Sequence, residues 1–116
     1  MISRGDIVTI AVQGDYGKPR AAVVMQSDLM KDLPSLVVCP VTSTIREAGF
    51  RLRIEPTAEN GLDRVSQVMA DKVLTVRRDK LGPRIGAVSK AQLRQLESCL
   101  AQVLGFGDRP AAPGQP

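Results

Sequence analysis

The amino-acid sequence predicts a mainly β fold of the α+β class, in which a small, strongly curved sheet or barrel of five to six strands precedes one C-terminal helix. Short apolar segments separated by turn-forming residues occupy most of the chain, which is the pattern of consecutive strands. One amphipathic segment with helix start and stop signals follows them. At 116 residues, 43% of them hydrophobic, the chain is predicted to form one domain over residues 1–106, followed by a disordered Pro/Gly tail over 107–116.

The strands are predicted from runs of apolar residues between loops. They cover residues 6–12, 20–26, 35–41, 50–55 and 64–70, with 73–76 as a short continuation of the last. The turn-rich loop 13–19 joins the first two strands into a wide hairpin, and a later loop is centred on the turn signal Asn60-Gly61. A set of short strands without internal repeats favours a sheet that curls on itself.

Two of these strands carry more specific expectations. The segment 35–41 is apolar almost throughout, as in a buried strand, but Pro40 cannot donate a ladder hydrogen bond and requires an edge or a bulge at its position. The segment 50–55 alternates strictly between apolar and charged residues. Its apolar positions are therefore predicted to face the core, and its charged positions to face water: Arg51, Arg53 and Glu55.

The C-terminal helix is predicted over roughly residues 90–104. Ser89 and Gln92 form a capping box, in which the serine hydroxyl accepts from the N3 amide and the glutamine side chain reaches back to the cap. Gly105 suits the left-handed residue that ends a helix. Between these signals, apolar residues recur at helical spacing at Leu93, Leu96, Leu100 and Val103.

Composition narrows the classes of function. The net charge is +4, and the excess lies in residues 51–116, which hold eleven basic and seven acidic side chains, whereas residues 1–50 hold five of each. A basic bias suits a polyanionic partner such as nucleic acid. Aromatic residues are only 3%, too few for a base-stacking platform of the RNA-recognition-motif kind. Without histidine or a Cys-x-x-Cys pair, no zinc site is expected.

The cysteines and the N-terminus bear on location. Cys39 and Cys99 are predicted to be reduced, packed thiols of a cytosolic protein. Arg4 and Asp6 interrupt any apolar run of the signal-peptide kind. No segment approaches the length needed to cross a membrane. We therefore expect a cytoplasmic protein without a membrane partner.

Two neighbouring segments carry a resemblance to a known family. In Gly17-Lys18-Pro19-Arg20, an arginine stands at the mouth of an apolar strand just after a Gly/Pro turn, close to the N-terminal strand. The next apolar run ends in Thr42-Ser43-Thr44. Over roughly residues 3–105, this arrangement resembles the PemK/MazF-type toxins of type II toxin–antitoxin systems.

The resemblance implies a fold and an activity. The fold would be an SH3-like barrel, and the activity that of a sequence-selective, metal-independent endoribonuclease. Such a toxin cleaves single-stranded mRNA to inhibit translation and growth, leaving 2′,3′-cyclic phosphate and 5′-OH ends when the 2′-OH attacks. A homodimer and a cognate antitoxin protein are the implied partners, and no cofactor or metal is implied.

Three residues are candidates for the catalytic work. Cleaving RNA without a metal requires deprotonation of the 2′-OH, neutralisation of charge on the phosphorane and stabilisation of the leaving oxygen. Arg20 offers a permanently charged fork that matches phosphate oxygens, and the resemblance places it at the scissile phosphate. The resemblance also implies Thr42 as a phosphate-binding hydroxyl and Asp71 as a base, although Met69 stands where some relatives have an arginine partner.

Five further residues are expected to bind RNA. Tyr16 and Lys18 lie in the loop before the second strand, where Tyr16 could stack on one base. Ser43 and Thr44 follow Thr42, and Lys72 follows Asp71; the resemblance makes these neighbours of the catalytic residues. Arg51, Arg53 and the stretch 77–84 are suited to guiding RNA or an acidic antitoxin segment.

Other interpretations of the same residues stay open at this point. Arg20 could form a surface ion pair, Thr42 could end its strand in a Ser/Thr turn, and Asp71 could pair with Lys72 or Arg20. Two other functions are also compatible with the sequence. One is a CcdB-like toxin that poisons DNA gyrase by binding it, and the other is a small barrel that binds RNA or a peptide without cutting it.

Overall fold

A computed structural model of the protein describes residues 1–11 and 19–106. In these residues the chain forms seven strands and one α-helix: β1 Asp6–Ala11, β2 Pro19–Val24, β3 Ser35–Thr42, β4 Arg51–Ile54, β5 Ser66–Met69, β6 Leu74–Arg77, β7 Arg84–Ala87 and α1 Lys90–Leu104. Short 3₁₀ turns cover Asp28–Met30, Ala70–Lys72 and Arg78–Lys80. The predicted tail 107–116 and most of the loop with Tyr16 and Lys18 lie outside the described residues.

The sheet bends around β3, its central strand. The strand order is β4-β5-β3-β2-β1-β7, all neighbours are antiparallel, and β6 also pairs with β3. One edge of β3 pairs with β2, while the other pairs with β6 over Ser35–Val38 and then with β5 at Val41 and Thr42. The change of partner along one strand curls the sheet into a half-barrel, which confirms the predicted curved sheet with one C-terminal helix.

Pro40 lies where this change of partner occurs. The Val37 carbonyl oxygen accepts from the Met25 amide at 2.9 Å, so the polar backbone groups of Val37 point towards β2. These groups alternate along a strand, and Pro40 therefore turns its nitrogen to the opposite edge. At that edge the pairing with β6 has ended at Val38 and the pairing with β5 begins at Val41. The proline nitrogen, which has no hydrogen to donate, therefore removes no hydrogen bond from either ladder. This agrees with the expectation that Pro40 requires an edge or a bulge.

The chain between β5 and β6 bulges out along the same edge. The pairs Val41–Val68 and Val38–Leu74 are three residues apart along β3. On the partner side, the chain from β5 to β6 takes six residues to cover the same distance. The three extra residues match the length of the 3₁₀ turn Ala70–Lys72. The predicted strand 64–70 accordingly ends at Met69. The bulge places Asp71 in a turn beside β3 rather than in a strand.

Apolar side chains pack on both faces of the sheet. Alternation along each strand separates the two sets. On the inner face, β-strand residues pack against α1: Ile7, Val23, Cys39, Val41, Leu52, Ile54 and Val68 meet Leu96 and Cys99. On the outer face lie Val8, Ile10, Ala22, Val24, Leu36 and Val38, with Ile2, Leu74, Val76 and Leu81 against them. This two-sided packing holds the ends of β2 and β3 in place.

The helix agrees with the sequence prediction at both ends. Ser89 accepts from the Gln92 amide at 3.0 Å and the Gln92 side chain accepts from the Ser89 amide at 3.0 Å, which is the capping box. Gly105 ends the helix with a φ of 80°, in the left-handed region. Both signals are local in sequence, which is why they could be recognised without the fold.

Strand β7 is the element that the sequence prediction missed, since five to six strands were expected. Its four residues include Gly86 and show no alternation of apolar and polar side chains. Strand β7 is defined instead by contacts with residues distant in the sequence. It pairs with β1, and the Arg84 guanidinium lies 3.1 Å from the buried Asp6 carboxylate. A Cβ at Gly86 would lie 2.4 Å from the carbonyl carbon of Asn60, so only glycine lets these backbones approach.

No helix within residues 1–11 and 19–106 is long and apolar enough to cross a membrane.

Candidate active site

Arg20 and Thr42 are brought together by the register of β2 and β3. The β2–β3 pairing ends at Ala22 and Pro40, and Arg20 and Thr42 each lie two residues beyond this pair, at the same end of the two strands. Alternation puts both on the outer face, next to Ala22 and Pro40 and with the apolar residues beyond. An exposed guanidinium and a half-buried hydroxyl therefore share one small area of surface.

The Thr42 hydroxyl is oriented by the turn that follows it. The Thr44 amide donates to Thr42 Oγ1 at 3.1 Å, which is the Ser/Thr turn expected at a strand end. A hydroxyl that accepts in this way still has its own proton to donate. The turn and a phosphate-binding role are thus compatible. Because the Thr44 amide is engaged with Thr42, it does not serve as a second donor to the same anion.

Gln67 anchors the loop after Thr42. It lies opposite Thr42 in the β3–β5 ladder, and 5% of the residue is exposed. Its Oε1 accepts from the Arg46 amide at 3.1 Å and its Nε2 donates to the Arg46 carbonyl at 2.5 Å. One side chain thereby holds both backbone groups of Arg46. The loop that carries Ser43 and Thr44, both exposed, is positioned by this contact.

Replacing this buried amide with a side chain of similar size tests its role. Gln67→Leu leaves both Arg46 backbone groups without their partner and is expected to destabilise the fold by about 1–3 kcal/mol in urea unfolding. It should also weaken the RNA cleavage that the family resemblance implies, because the loop beside Thr42 loses its anchor.

Gln26 is the matched control for that variant. It is 9% exposed and likewise binds backbone groups, those of Met30, Ser35 and Val37, but near the start of β3, at the opposite end of the strand from Thr42. Gln26→Leu should lower stability by a similar amount with little effect on cleavage by the folded protein. Equal loss of cleavage in both variants would argue against a specific role for the Gln67 loop.

Asp71 forms a bidentate ion pair with Arg51. Arg51 Nε lies 2.9 Å from Asp71 Oδ1, and Arg51 Nη2 lies 3.0 Å from Asp71 Oδ2. The Arg51 side chain is 10% exposed and that of Asp71 is 25% exposed. The prediction that Arg51 faces water is therefore wrong, whereas Arg53 and Glu55 are exposed as predicted. The carboxylate draws the guanidinium out of solvent, which alternation alone does not anticipate.

This pair changes what Asp71 can do chemically. Hydrogen bonding to Arg51, opposed in part by burial, holds the pKa of the Asp71 carboxyl below its usual value. The same hydrogen bond raises the pKa of Arg51. A carboxylate with a lowered pKa and two charged donors is a weak base. Its partner is Arg51 on β4 rather than Lys72 or Arg20, and Lys72 next to it is exposed.

The two thiols lie in the inner core near this turn. Both are free and buried, as predicted for packed cysteines. Burial, with smaller contributions from Asp71 and Cys99, raises the pKa of the Cys39 thiol to about 12. A thiol this hard to ionise is unreactive at neutral pH.

Sequence reasoning did not single out Gln67, Arg46 or the role of Arg51. Gln67 had one usable signal, because it is a polar residue flanked by apolar ones in a predicted strand. Arg51 lies directly opposite Met69 in the β4–β5 ladder. Met69 stands where the resemblance expects an arginine, so the guanidinium of Arg51 on the neighbouring strand brings a positive charge to this part of the site. That relation depends on the register of two strands separated by a long loop, and it is not visible in the sequence.

The curled sheet with one C-terminal helix is the fold class of this protein, and comparison with known proteins gives the family. Residues 3–104 match the PemK-like, MazF-like toxins of type II toxin–antitoxin systems, and the chain belongs to this family. The resemblance seen in the sequence is thereby confirmed.

Individual relatives agree with that membership. The chain is 40% identical over 105 residues to the "Probable endoribonuclease MazF" of Mycolicibacterium smegmatis, covering 89% of this chain and 96% of the relative. Its fold is similar to a mycobacterial endoribonuclease in complex with its cognate antitoxin, with a TM-score of 0.79, 21% identity and coverage of 91% and 97% of the two chains. It is also similar to the Mycobacterium tuberculosis toxin MazF-mt6, with a TM-score of 0.74, 24% identity and coverage of 86% and 97%.

Proposed function

We propose that this protein is an endoribonuclease toxin that cleaves single-stranded mRNA without a metal and so inhibits translation and growth. The observation that carries the proposal is the position of Arg20 and Thr42 on the same outer face, each two residues beyond the last β2–β3 pair and at the same end of the two strands. Membership of the family and the 40% identity to a protein named as an endoribonuclease support it. Single strands are the substrate because their bases can be splayed out and read.

Arg20 and Thr42 divide the work at the scissile phosphate. When the 2′-OH attacks phosphorus, negative charge grows on the non-bridging oxygens, and a guanidinium fork can donate two hydrogen bonds to them. The Thr42 hydroxyl, turned by the Thr44 amide, donates its proton to one of these oxygens. The products are a 2′,3′-cyclic phosphate and a 5′-OH end. Tyr16, Lys18, Ser43, Thr44 and Lys72 stay predicted RNA contacts.

Asp71 enters this proposal through Arg51. The sequence suggested the carboxylate as the general base, and that role stays a prediction. The bidentate pair favours another one, in which Asp71 holds Arg51 and the turn Ala70–Lys72 against β3. The carboxylate then positions the site instead of accepting a proton.

Partners and location belong to the same proposal. We expect a homodimer in the cytoplasm, neutralised by a cognate antitoxin whose acidic segment folds on binding. Structural relatives described as an endoribonuclease with its cognate antitoxin and as a MazE–MazF complex of Deinococcus radiodurans support the antitoxin. The gyrase-binding alternative has less support, since the family match and the curated relative both point to MazF.

The test is cleavage of a long single-stranded RNA by the purified protein in EDTA, with the ends of the products mapped. Cleavage at defined sequences, with 2′,3′-cyclic phosphate and 5′-OH ends, is the expected result. A folded protein that leaves RNA intact, yet traps gyrase on DNA, would replace this proposal with the gyrase-binding function.

Two substitutions at Thr42 separate its hydroxyl from its shape. Thr42→Val keeps the branched side chain but removes the donor, and it is expected to lower the cleavage rate by roughly 10²-fold, the usual effect of deleting one donor to a developing oxyanion. Thr42→Ser keeps the hydroxyl and should retain most of the activity. If the valine variant cleaved as fast as the wild type, Thr42 would have no part in the chemistry.

A further inference from the structure

A row of residues crosses the outer face at the level of Thr42. Thr42 pairs with Gln67, and Gln67 pairs with Arg53 on β4. With Arg20 on the other side of Thr42, the row crosses β2, β3, β5 and β4. Since neighbouring strands lie about 4.8 Å apart, the three steps from β2 to β4 follow a path of roughly 14 Å along the curved sheet. The row therefore extends well beyond a single phosphate.

A second arginine is held over the middle of this row. Both backbone hydrogen bonds of the Gln67 side chain go to Arg46, so the backbone of Arg46 lies on Gln67. Arg46 itself is exposed. Among residues 1–11 and 19–106, no carboxylate lies within ion-pair distance of its guanidinium. The backbone of Arg46 is thus fixed at Gln67, which lies between Thr42 and Arg53 in the row.

The arginines of β4 differ in how far their charge is neutralised. Arg51 is committed to Asp71 in the bidentate pair. Arg53 is 61% exposed, and its Nε lies 3.5 Å from Glu55, whose side chain is 66% exposed. A single exposed contact of this length is weak and is easily replaced by another anion. The charge of Arg53 is therefore available to a polyanion that lies on the row.

We propose that Arg46 and Arg53 bind RNA phosphates next to the scissile one, so that Arg20, Arg46 and Arg53 form an arginine row along which the substrate lies across the strands. The inference rests on the proposed ribonuclease function and adds the path of the RNA and two residues that hold it. Phosphate contacts of this kind position the chain without reading its sequence. Arg46 and Arg53 should therefore affect binding rather than the chemical step.

The experiment measures cleavage and salt-dependent RNA binding by the full chain. Arg46→Gln, Arg53→Gln and the double variant are made in the wild type for kinetics, and in the Arg20→Ala background for binding to uncut single-stranded RNA. The expected result is a several-fold higher KM with kcat unchanged. The slope of log K against log salt should fall by about 0.7 for each arginine removed, the value for one phosphate contact on a single strand.

Arg94→Gln is the matched control for charge. Arg94 is exposed on α1. The apolar residues of this helix pack against the inner face of the sheet, away from the row on the outer face. This variant should keep the wild-type KM and salt slope. Arg53→Lys should keep most of the salt slope, since a phosphate contact needs the charge and not the fork.

Two failures are distinguishable. If the wild type does not cut RNA, the proposed function is overturned together with the row. If the wild type cuts RNA but both glutamine variants keep its KM and salt slope, only the arginine row is overturned. The second result is also the one expected if these arginines serve an acidic protein partner instead of RNA.

Discussion

Arg20→Ala is expected to reduce RNA cleavage by about 10²–10³-fold, because it removes the guanidinium that we propose stabilises the developing phosphorane. Arg20 lies near the start of β2 and is exposed, so its truncation should leave the packing of the sheet intact. The measurement is the single-turnover cleavage rate at saturating protein, which separates the chemical step from binding. The melting temperature of the variant should stay close to that of the wild type.

Arg94→Ala provides the control, since it removes the same charge from an exposed position on α1. Arg20→Lys adds a second comparison, because an ammonium keeps the charge but cannot make the bidentate contact. We expect the lysine variant to fall between the wild type and the alanine variant. Cleavage by Arg20→Ala at the wild-type rate would contradict the assignment of the site.

Breaking the Arg51–Asp71 pair is expected to have a large effect on stability. Arg51→Met or Asp71→Asn leaves a partly buried charge without its partner, and each should cost about 1–3 kcal/mol in urea unfolding. For a domain of this size, that loss lowers the melting temperature by about 4–8 °C per kcal/mol. A double-mutant cycle on the two positions should show strong coupling. The exposed pair Arg53–Glu55 is the control, with expected changes within about 0.5 kcal/mol.

The same pair predicts a dependence on pH. Because Arg51 lowers the pKa of Asp71 in the folded protein, the ionised carboxylate stabilises the fold at neutral pH. That stabilisation is present above the unfolded pKa of about 3.9, and it is lost as the pH falls through the lower folded value. The wild type should thus lose stability in this range by an amount that Asp71→Asn does not show. Identical acid sensitivity of the two proteins would mean that Asp71 is not stabilised by Arg51.

The site was partly predictable because some of its relations are local. Arg20 follows a Gly/Pro turn, and Thr42 ends an apolar run, so each could be recognised within a few residues of sequence and by resemblance to the family. Their adjacency needed the β2–β3 register, which the sequence does not specify. Gln67 acts through Arg46, 21 positions away, and Arg51 acts through Asp71, 20 positions away, and no local pattern links them.

By itself, the sequence determined the elements whose physical causes lie within one segment. These are the capped helix α1, the turn at Asn60-Gly61, the apolar strands and the need for an edge at Pro40. Hydrogen bonds between near neighbours and the two-residue period of a strand are sufficient to define them. The family followed from the same local features.

Only the tertiary structure decided how these elements share a surface. It added β7, whose pairing depends on β1 and on the close approach of Gly86 to Asn60. It buried Arg51 against Asp71 by means of the bulge Ala70–Lys72, which occupies the edge that Pro40 leaves unpaired. In each case the deciding interaction joins residues distant in the chain, and its energy depends on register and burial that exist only once the sheet has folded.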